Sequence, residues 1–187
     1  MYKLRPYASN NIMKNLYFSV IHPHLLYAIQ VWGSTFKTYI DKLFISQKKA
    51  VRLITNSSQR YANGEYVHTA PLFKSLEIFR LGDLFSYQIL IFVHDSIHEF
   101  APKSLQNMFT YCKDNHSYRT RSGTILKDNE VFSVGLTIPH SRLANYGQKS
   151  IRYEGSKLWN SIPADFKLIE SRNCFKNELK RHILSKY

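Results

Sequence analysis

The chain has few of the residues on which several common kinds of functional site depend. It holds only two cysteines, Cys112 and Cys174, which cannot form a disulfide framework. A reducing compartment, either nucleus or cytoplasm, is therefore expected. Seven glycines provide neither a phosphate-binding loop nor a nucleophile elbow. The most apolar stretch, residues 84–93, is too short to span a bilayer, and no apolar secretion signal follows Met1, so the sequence predicts an intracellular protein without a membrane partner.

Acidic side chains are scarce and dispersed. Polymerases and phosphoryl-transfer enzymes hold two metal ions between neighbouring carboxylates. The aspartates of this chain include no adjacent pair; they are Asp41, Asp83, Asp95, Asp114, Asp128 and Asp165. The sequence therefore predicts no catalytic residue, no metal site and no cofactor, and the isolated chain is not expected to be an enzyme.

Two short groups of metal-ligand residues leave an alternative open. His94 and His98 have the spacing by which zinc peptidases place two ligands on one helix face, and a zinc hydrolase would use them. However, Asp95 stands where those sites need a longer glutamate, and no third ligand is marked. Cys112 and His116 form half of a zinc knuckle without a second close pair. Structural histidines and reduced thiols explain both groups more simply.

Positive charge and aromatic side chains are abundant. Lys and Arg number 26 against 13 Asp and Glu, which gives a net charge of +13, and the 44% hydrophobic residues include 13 Tyr and 12 Phe. Such a chain is expected to fold, and its charge indicates a polyanionic partner. Residues 1–60 carry +8 and residues 111–187 carry +7, whereas residues 61–110 carry −2. The alternative is that the excess of lysine only keeps an aggregation-prone protein in solution.

Apolar periodicity predicts a mainly α fold, with a thumb-like helical bundle followed by a smaller subdomain. A basic amphipathic helix is expected over residues 38–54, where apolar positions form one stripe and the lysines lie largely off it. A central helix buried on most sides is expected over residues 84–98. A last helix over residues 175–184 is expected after Ser171, a residue that commonly caps helices.

These elements divide the sequence into three segments. Residues 1–110 form a helical domain, residues 111–123 a basic linker or surface loop, and residues 124–187 the C-terminal subdomain. The alternation of residue types over residues 131–138 and 150–153 is weak but compatible with a small hairpin. The C-terminal subdomain is therefore expected to be α, or α+β if the hairpin forms.

Basic side chains interleaved with aromatic ones mark the candidate binding residues. Phosphates attract the cations, and nucleobase faces stack on the rings. The alternative is that Tyr39 and Tyr153 are core rings with polar tips. The candidate nucleic-acid-binding residues are Lys37, Lys42, Lys48, Lys49, Arg52, Arg119, Arg121 and Arg152.

Three groups of segments, in order and in spacing, carry a resemblance to a known family. Characteristic stretches are Leu16-Tyr-Phe-Ser-Val-Ile-His-Pro-His-Leu-Leu-Tyr27 and Lys157-Leu-Trp-Asn-Ser-Ile-Pro163. The groups are residues 2–5, 16–33 and 43–52; residues 71–76; and residues 142–147, 157–163 and 175–180. Together they resemble the reverse transcriptases of non-LTR retrotransposons of the jockey, CR1 and RTE type, in the region that follows the polymerase palm.

The resemblance implies a function for the parent protein and a smaller one for this chain. The first two groups would form the helical thumb, which packs against the primer–template duplex, and the third a C-terminal region. The palm of this RNA-directed DNA polymerase, with its Tyr-Xaa-Asp-Asp metal motif, would precede Met1. The expected function is non-specific binding to the backbone of an RNA–DNA hybrid, with an intact palm domain as a further partner. The alternative is a protein-interaction remnant, without a nucleic-acid role, in which the helix at residues 84–98 is exposed.

Overall fold

A computed structural model describes residues 1–57, 68–115, 124–127, 130–143 and 147–187 of the chain. Across these ranges the secondary structure is mainly helical, which confirms the predicted mainly α fold. The helices are α1 (Asn10–Leu16), α2 (His22–Leu26), α3 (Ile29–Trp32), α4 (Lys37–Thr55), α5 (Ala70–Leu76), α6 (Leu81–Ile97), α7 (Lys103–Gln106), α8 (Cys112–Asn115), α9 (Ile151–Ser161), α10 (Ala164–Lys167) and α11 (Arg172–Ser185), with a 3-10 helix at Tyr2–Tyr7 and a π-helical turn at Tyr17–Ile21.

The chain folds into two compact units. Unit 1 comprises Met1–Phe85 and Ile183–Tyr187, and unit 2 comprises Ser86–His182. This division differs from the predicted segments 1–110, 111–123 and 124–187. The reason is that α6 and α11 each continue from one unit into the other, so that no linker marks the boundary and the change of composition near residue 110 does not coincide with it.

The core of unit 1 forms around the inner face of α4. Gln47, Ala50, Val51 and Ile54 are all buried and recur every three or four residues, which places them on one side of the helix. The predicted basic amphipathic helix at residues 38–54 is thereby confirmed. The buried side chains that pack with this face are Met13, Tyr17, Phe73 and Ile78.

A second apolar cluster of unit 1 joins α2 and α3 to the first turn of α6. Leu25, Ile29, Leu81 and Leu84 are buried together. Gly33 follows α3, and a Cβ at that position would overlap the ring of Phe85. A larger residue there would therefore force these two segments of unit 1 apart.

Tyr187 is held against unit 1 through both its ring and its hydroxyl. The hydroxyl donates to Asp83 Oδ2 at 2.7 Å and accepts from the main-chain N–H of Arg80 at 2.8 Å. The guanidinium carbon of Arg80 lies 4.2 Å from the centre of the tyrosine ring, and Lys74 Nζ donates to the main-chain oxygen of Tyr187. Burial raises the pKa of Tyr187, so the hydroxyl keeps its proton and can donate.

Unit 2 builds its core on the later turns of α6. Ile89, Leu90 and Val93 are buried, which confirms the predicted central helix. Because its apolar residues are covered, this helix does not present the exposed face that the protein-interaction hypothesis expected of it. Trp159 of α9 is also buried, and its Nε1 donates to the main-chain oxygen of Val134 at 3.0 Å. Within the described ranges, no helix combines the length and the apolar character needed to cross a membrane.

A short hairpin is present in unit 2, but its strands differ from those expected. Strands β1 (Thr124–Lys127) and β2 (Glu130–Ser133) pair antiparallel. The strand expected at residues 131–138 therefore begins and ends earlier. Residues 150–153 begin α9 instead of a strand, because the hydroxyl of Ser150 accepts from the N–H of Tyr153 at 3.3 Å and caps the helix.

Candidate nucleic-acid interface

Helix α4 presents its basic side chains on the face opposite the core of unit 1. Lys42 and Lys49 are exposed, while Lys48 and Arg52 are half-buried. Lys42 precedes Lys49 by seven residues, or two turns, so the two side chains lie on one side of the helix, about 10 Å apart along its axis. The cations therefore form a track along α4.

Three of these cations line one groove. The groove has a volume of about 910 Å³ and includes Lys48, Lys49 and Arg52 in its lining. The other lining residues are Tyr2, Ile45, Leu53, Asn56 and Ser57. Among the described residues that line the groove none is acidic, so their side chains attract anions.

Three of the groove residues, Arg52, Asn56 and Ser57, lie at the C-terminal end of α4. Asn56 adopts a left-handed conformation with φ of 53°, which asparagine tolerates better than most residues, and its N–H bonds to the main-chain oxygen of Arg52. The N–H of Ser57 reaches the same oxygen at 3.1 Å. This closure fixes the last turn of the helix, and with it the backbone position of Arg52 at the groove.

Aromatic rings support two of the cations. Lys48 Nζ lies 4.3 Å from the centre of the Phe44 ring, and Lys42 Nζ lies 5.9 Å from the centre of the Tyr39 ring. A cation over an aromatic face is attracted to it. The ring of Tyr39 is 59% exposed, so the alternative that it is a core ring does not hold.

The remaining predicted binding residues do not join this groove. Lys37 lines a separate cavity of about 320 Å³ together with Asp41 and Asp83. Arg152 belongs to unit 2, where its Nε donates to the main-chain oxygen of Met108 at 3.0 Å. Tyr153, on the same helix, is partly buried. The other two predicted residues, Arg119 and Arg121, lie outside the described residues.

The groove residues outside the basic run of α4 were not predicted from the sequence. Tyr2 lies in the 3-10 helix at the start of the chain, and Asn56 and Ser57 follow α4. The signal for Tyr2 was weak, because a tyrosine beside Lys3 is only one of several such pairs in the sequence. Tyr2 reaches the groove only because the fold brings the start of the chain next to the end of α4, about fifty positions later in the sequence.

Of the two histidines of the zinc alternative, His94 lies in the core of unit 2 and His98 is half-buried beside it. His94 is buried, its Nε2 lies 2.8 Å from the main-chain oxygen of Ile169, and its ring stacks on Phe175 with 4.3 Å between centres. The ring of His98 lies 4.3 Å from that of His94. Burial lowers the pKa of both histidines. Among the described residues, no group of three His, Cys, Asp or Glu is arranged to hold a metal ion.

Asp95, the residue between these histidines that stands in the place of the peptidase glutamate, has a structural partner. Its two carboxylate oxygens accept from Nε and Nη2 of Arg172 at 2.8 and 2.7 Å. The guanidinium of Arg172 therefore occupies both carboxylate oxygens, which places Asp95 in a structural ion pair. The arrangement favours the simpler explanation of these histidines as core residues.

The chain was compared with protein-family models, with curated proteins and with solved structures, and none of them matches it.

Proposed function

We propose that the chain binds the sugar–phosphate backbone of nucleic acid through α4, without sequence preference and without catalysis of its own. The observation that carries this proposal is the groove that Lys48, Lys49 and Arg52 line together, in which none of the described lining residues is acidic. Cations on one helix face neutralise phosphates and release counterions, and this contribution does not depend on base sequence. Lys42 extends the track toward the start of the helix.

The parent protein, in this proposal, is the reverse transcriptase of a non-LTR retrotransposon. Unit 1 would serve as its thumb, with the RNA–DNA hybrid of template and primer as ligand, and an upstream palm would supply the catalytic aspartates. The support is the order of the quoted sequence segments together with the basic face of α4. An in-frame coding sequence for paired aspartates in the genomic DNA before Met1 would support this identity, and a sequence without one would count against it.

The binding proposal is tested with the triple variant Lys48→Ala, Lys49→Ala and Arg52→Ala. Each phosphate contact contributes about a factor of eight between 1 M and 100 mM salt, so the loss of three weakens binding to an RNA–DNA hybrid at 100 mM salt by roughly a hundredfold or more. Fluorescence anisotropy of a labelled hybrid measures the dissociation constant. Circular dichroism establishes that the variant keeps its helices.

A charge-matched variant provides the control. Lys103→Ala, Lys157→Ala and Lys186→Ala also remove three positive charges, all from exposed side chains outside the groove. We expect this control to retain most of the affinity. Equal losses in the two triple variants would mean that net charge alone attracts nucleic acid, and the proposal that α4 is the binding face would fall.

A second candidate function is protein association through exposed apolar side chains. Twelve of the fifteen large hydrophobic side chains that are exposed among the described residues lie within residues 1–45. Tyr27 and Val31, at 79% and 75% exposure, are four residues apart in the sequence. Exposed apolar side chains that form one contiguous surface are typical of interaction sites.

Light scattering over a range of protein concentrations tests this second function. If it applies, the mass rises with concentration, and the change Tyr27→Asp with Val31→Asp prevents the rise because it places charges on the apolar surface. A monomer at every concentration, together with binding of the hybrid, would exclude the second function and leave the first.

A further inference from the structure

We propose that the groove beside α4 receives an unpaired nucleobase, so that the chain holds a single-stranded stretch of polynucleotide and not only a duplex backbone. This inference rests on the proposed function, which needs only the cations. It adds a role for the uncharged part of the groove wall, and it names the class of ligand as single-stranded DNA or RNA.

The first argument is the mixed character of the wall. Ile45 and Leu53 line the groove together with the three cations. A surface that meets only phosphates gains nothing from apolar side chains, because the backbone of a duplex presents charged oxygens and sugars. A single strand, by contrast, exposes base faces beside its phosphates, and these faces pair with apolar and aromatic surfaces while cations track the backbone.

The second argument is the ring of Tyr2. It contributes to the groove wall and is 79% exposed, so a face of the ring is accessible to a ligand. Bases of any sequence stack on aromatic rings, since every base has a π-face. A base in a duplex is already stacked on both sides and cannot use the ring without being extruded.

The third argument is size. The volume of about 910 Å³ lies at the upper end of the range of roughly 300–1,000 Å³ that is typical of ligand-binding clefts. The groove is therefore large enough for a base with its sugar and phosphate. Asn56 and Ser57 lie at its end and provide polar groups near the ligand, as polar side chains at such sites usually do.

The fourth argument is the continuation of the track beyond the groove. Lys42 lies two turns before Lys49 on the same side of α4, and the exposed ring of Tyr39 lies beside it. A strand whose base occupies the groove would place its next phosphates along these residues. An exposed ring thus lies beside a cation at two places along α4: Tyr2 at the groove and Tyr39 beside Lys42. Alternating cations and rings are the pattern expected of a surface that binds a single strand.

The test compares two labelled strands of equal length and equal charge. One is oligo(dT), and the other is an abasic deoxyribose-phosphate strand of the same number of phosphates. We expect the wild-type chain to bind oligo(dT) about tenfold more tightly than the abasic strand at the same salt concentration. The variant Tyr2→Ala should clearly reduce the difference between the two strands, whereas Tyr2→Phe, which keeps the ring, should preserve it.

The outcomes separate the inference from the function on which it rests. If both strands bind equally and both lose affinity as salt increases, the backbone proposal stands and the base-binding inference is overturned. Failure of both strands and of the RNA–DNA hybrid to bind would overturn the two together. A preference for oligo(dT) that Tyr2→Ala leaves unchanged would also overturn the inference, because the bases would then be bound elsewhere.

Discussion

Units 1 and 2 both contain many basic side chains, but they use them differently. In unit 2, Arg172 pairs with Asp95, and Arg181 pairs with Glu178. In unit 1, three cations of α4 line a groove together, and the described residues of its wall include no carboxylate. A charge sum taken along the sequence counts all these side chains alike, whereas only those that face a ligand contribute to binding through local contacts. The α4 groove is therefore the better candidate for function.

The buried polar groups of the two units differ in the same way. In unit 1, Gln47 Nε2 donates to the hydroxyl of Tyr17 at 2.9 Å and to the main-chain oxygen of Phe79 at 2.8 Å, a neutral arrangement. In unit 2, the interior holds the side chains of His94 and Asp95. The fully buried polar side chain of α4 in unit 1 is thus a neutral amide, whereas α6 buries a histidine and an aspartate in unit 2.

The largest loss of stability is expected from breaking the Arg172–Asp95 ion pair of unit 2. Arg172→Met leaves the nearly buried carboxylate of Asp95 without its two charge-assisted hydrogen bonds. We expect a loss of about 2–3 kcal/mol in the free energy of unfolding, less than for a fully buried pair because the Arg172 side chain is 48% exposed. Hydrogen exchange of amides in unit 2 measures it.

A double variant provides the control for that pair. Asp95→Asn removes the buried charge, so Arg172→Met should cost clearly less in the Asp95→Asn background than in the wild type. If Arg172→Met had the same effect in both backgrounds, the pair would not be the source of the stability.

A smaller loss of stability is expected from removing the hydrogen bonds of Gln47 in unit 1. Gln47→Leu keeps the approximate volume but leaves the Phe79 carbonyl and the Tyr17 hydroxyl without their donor. The expected loss is about 1–2 kcal/mol, the typical cost of buried groups left unsatisfied. Tyr17→Phe combined with Gln47→Leu should recover part of it. Urea unfolding at pH 8 and pH 5 should give the same difference between Gln47→Leu and wild type, because no charge is involved.

The smallest expected effect is a difference between the two units in how their stability depends on pH. Burial lowers the pKa of His94 and His98 in unit 2 and of His22 in unit 1. Below pH 6.5 the unfolded chain binds protons that the folded chain does not, so stability is complete above that pH and decreases as the pH falls. Each histidine contributes at most about 1.4 kcal/mol per pH unit.

Among the described residues, two such histidines lie in unit 2 and one lies in unit 1, so unit 2 should lose stability more steeply between pH 6.5 and pH 5. The groups that face His94 are His98, Asp95 and Arg172, and Glu170 acts on His98. Hydrogen exchange, corrected for the intrinsic rate at each pH, measures the two units separately. His94→Gln should reduce the slope of unit 2; an unchanged slope would show that His94 does not titrate as described.

The sequence predicted best what depends on local periodicity. Helix α4 follows from an apolar stripe interrupted by lysines, and α6 from a nearly continuous apolar run, so both were found from the pattern alone. Tyr2 at the groove and the Arg172–Asp95 pair were not predicted. Their partners lie about fifty and 77 positions away, and no local pattern encodes such contacts.

The predicted segments differ from the two compact units for a related reason. Composition changes near residue 110, and the sequence therefore suggested a linker there. The unit boundaries, however, fall inside the continuous helices α6 and α11, and the last residues of the chain, Ile183–Tyr187, belong to unit 1. Tyr187, which bonds to Asp83, could be assigned to that unit only once the fold was known.

The most direct test of the α4 groove is the dependence of affinity on salt. The logarithm of the association constant for an RNA–DNA hybrid is measured against the logarithm of the salt concentration for three proteins: wild type, Lys48→Ala/Lys49→Ala/Arg52→Ala, and the charge-matched Lys103→Ala/Lys157→Ala/Lys186→Ala. The groove variant should have a slope shallower than wild type by about 2.7, because three phosphate contacts are lost, and the matched variant should keep the wild-type slope. Equal slopes for wild type and the groove variant would contradict phosphate binding at α4.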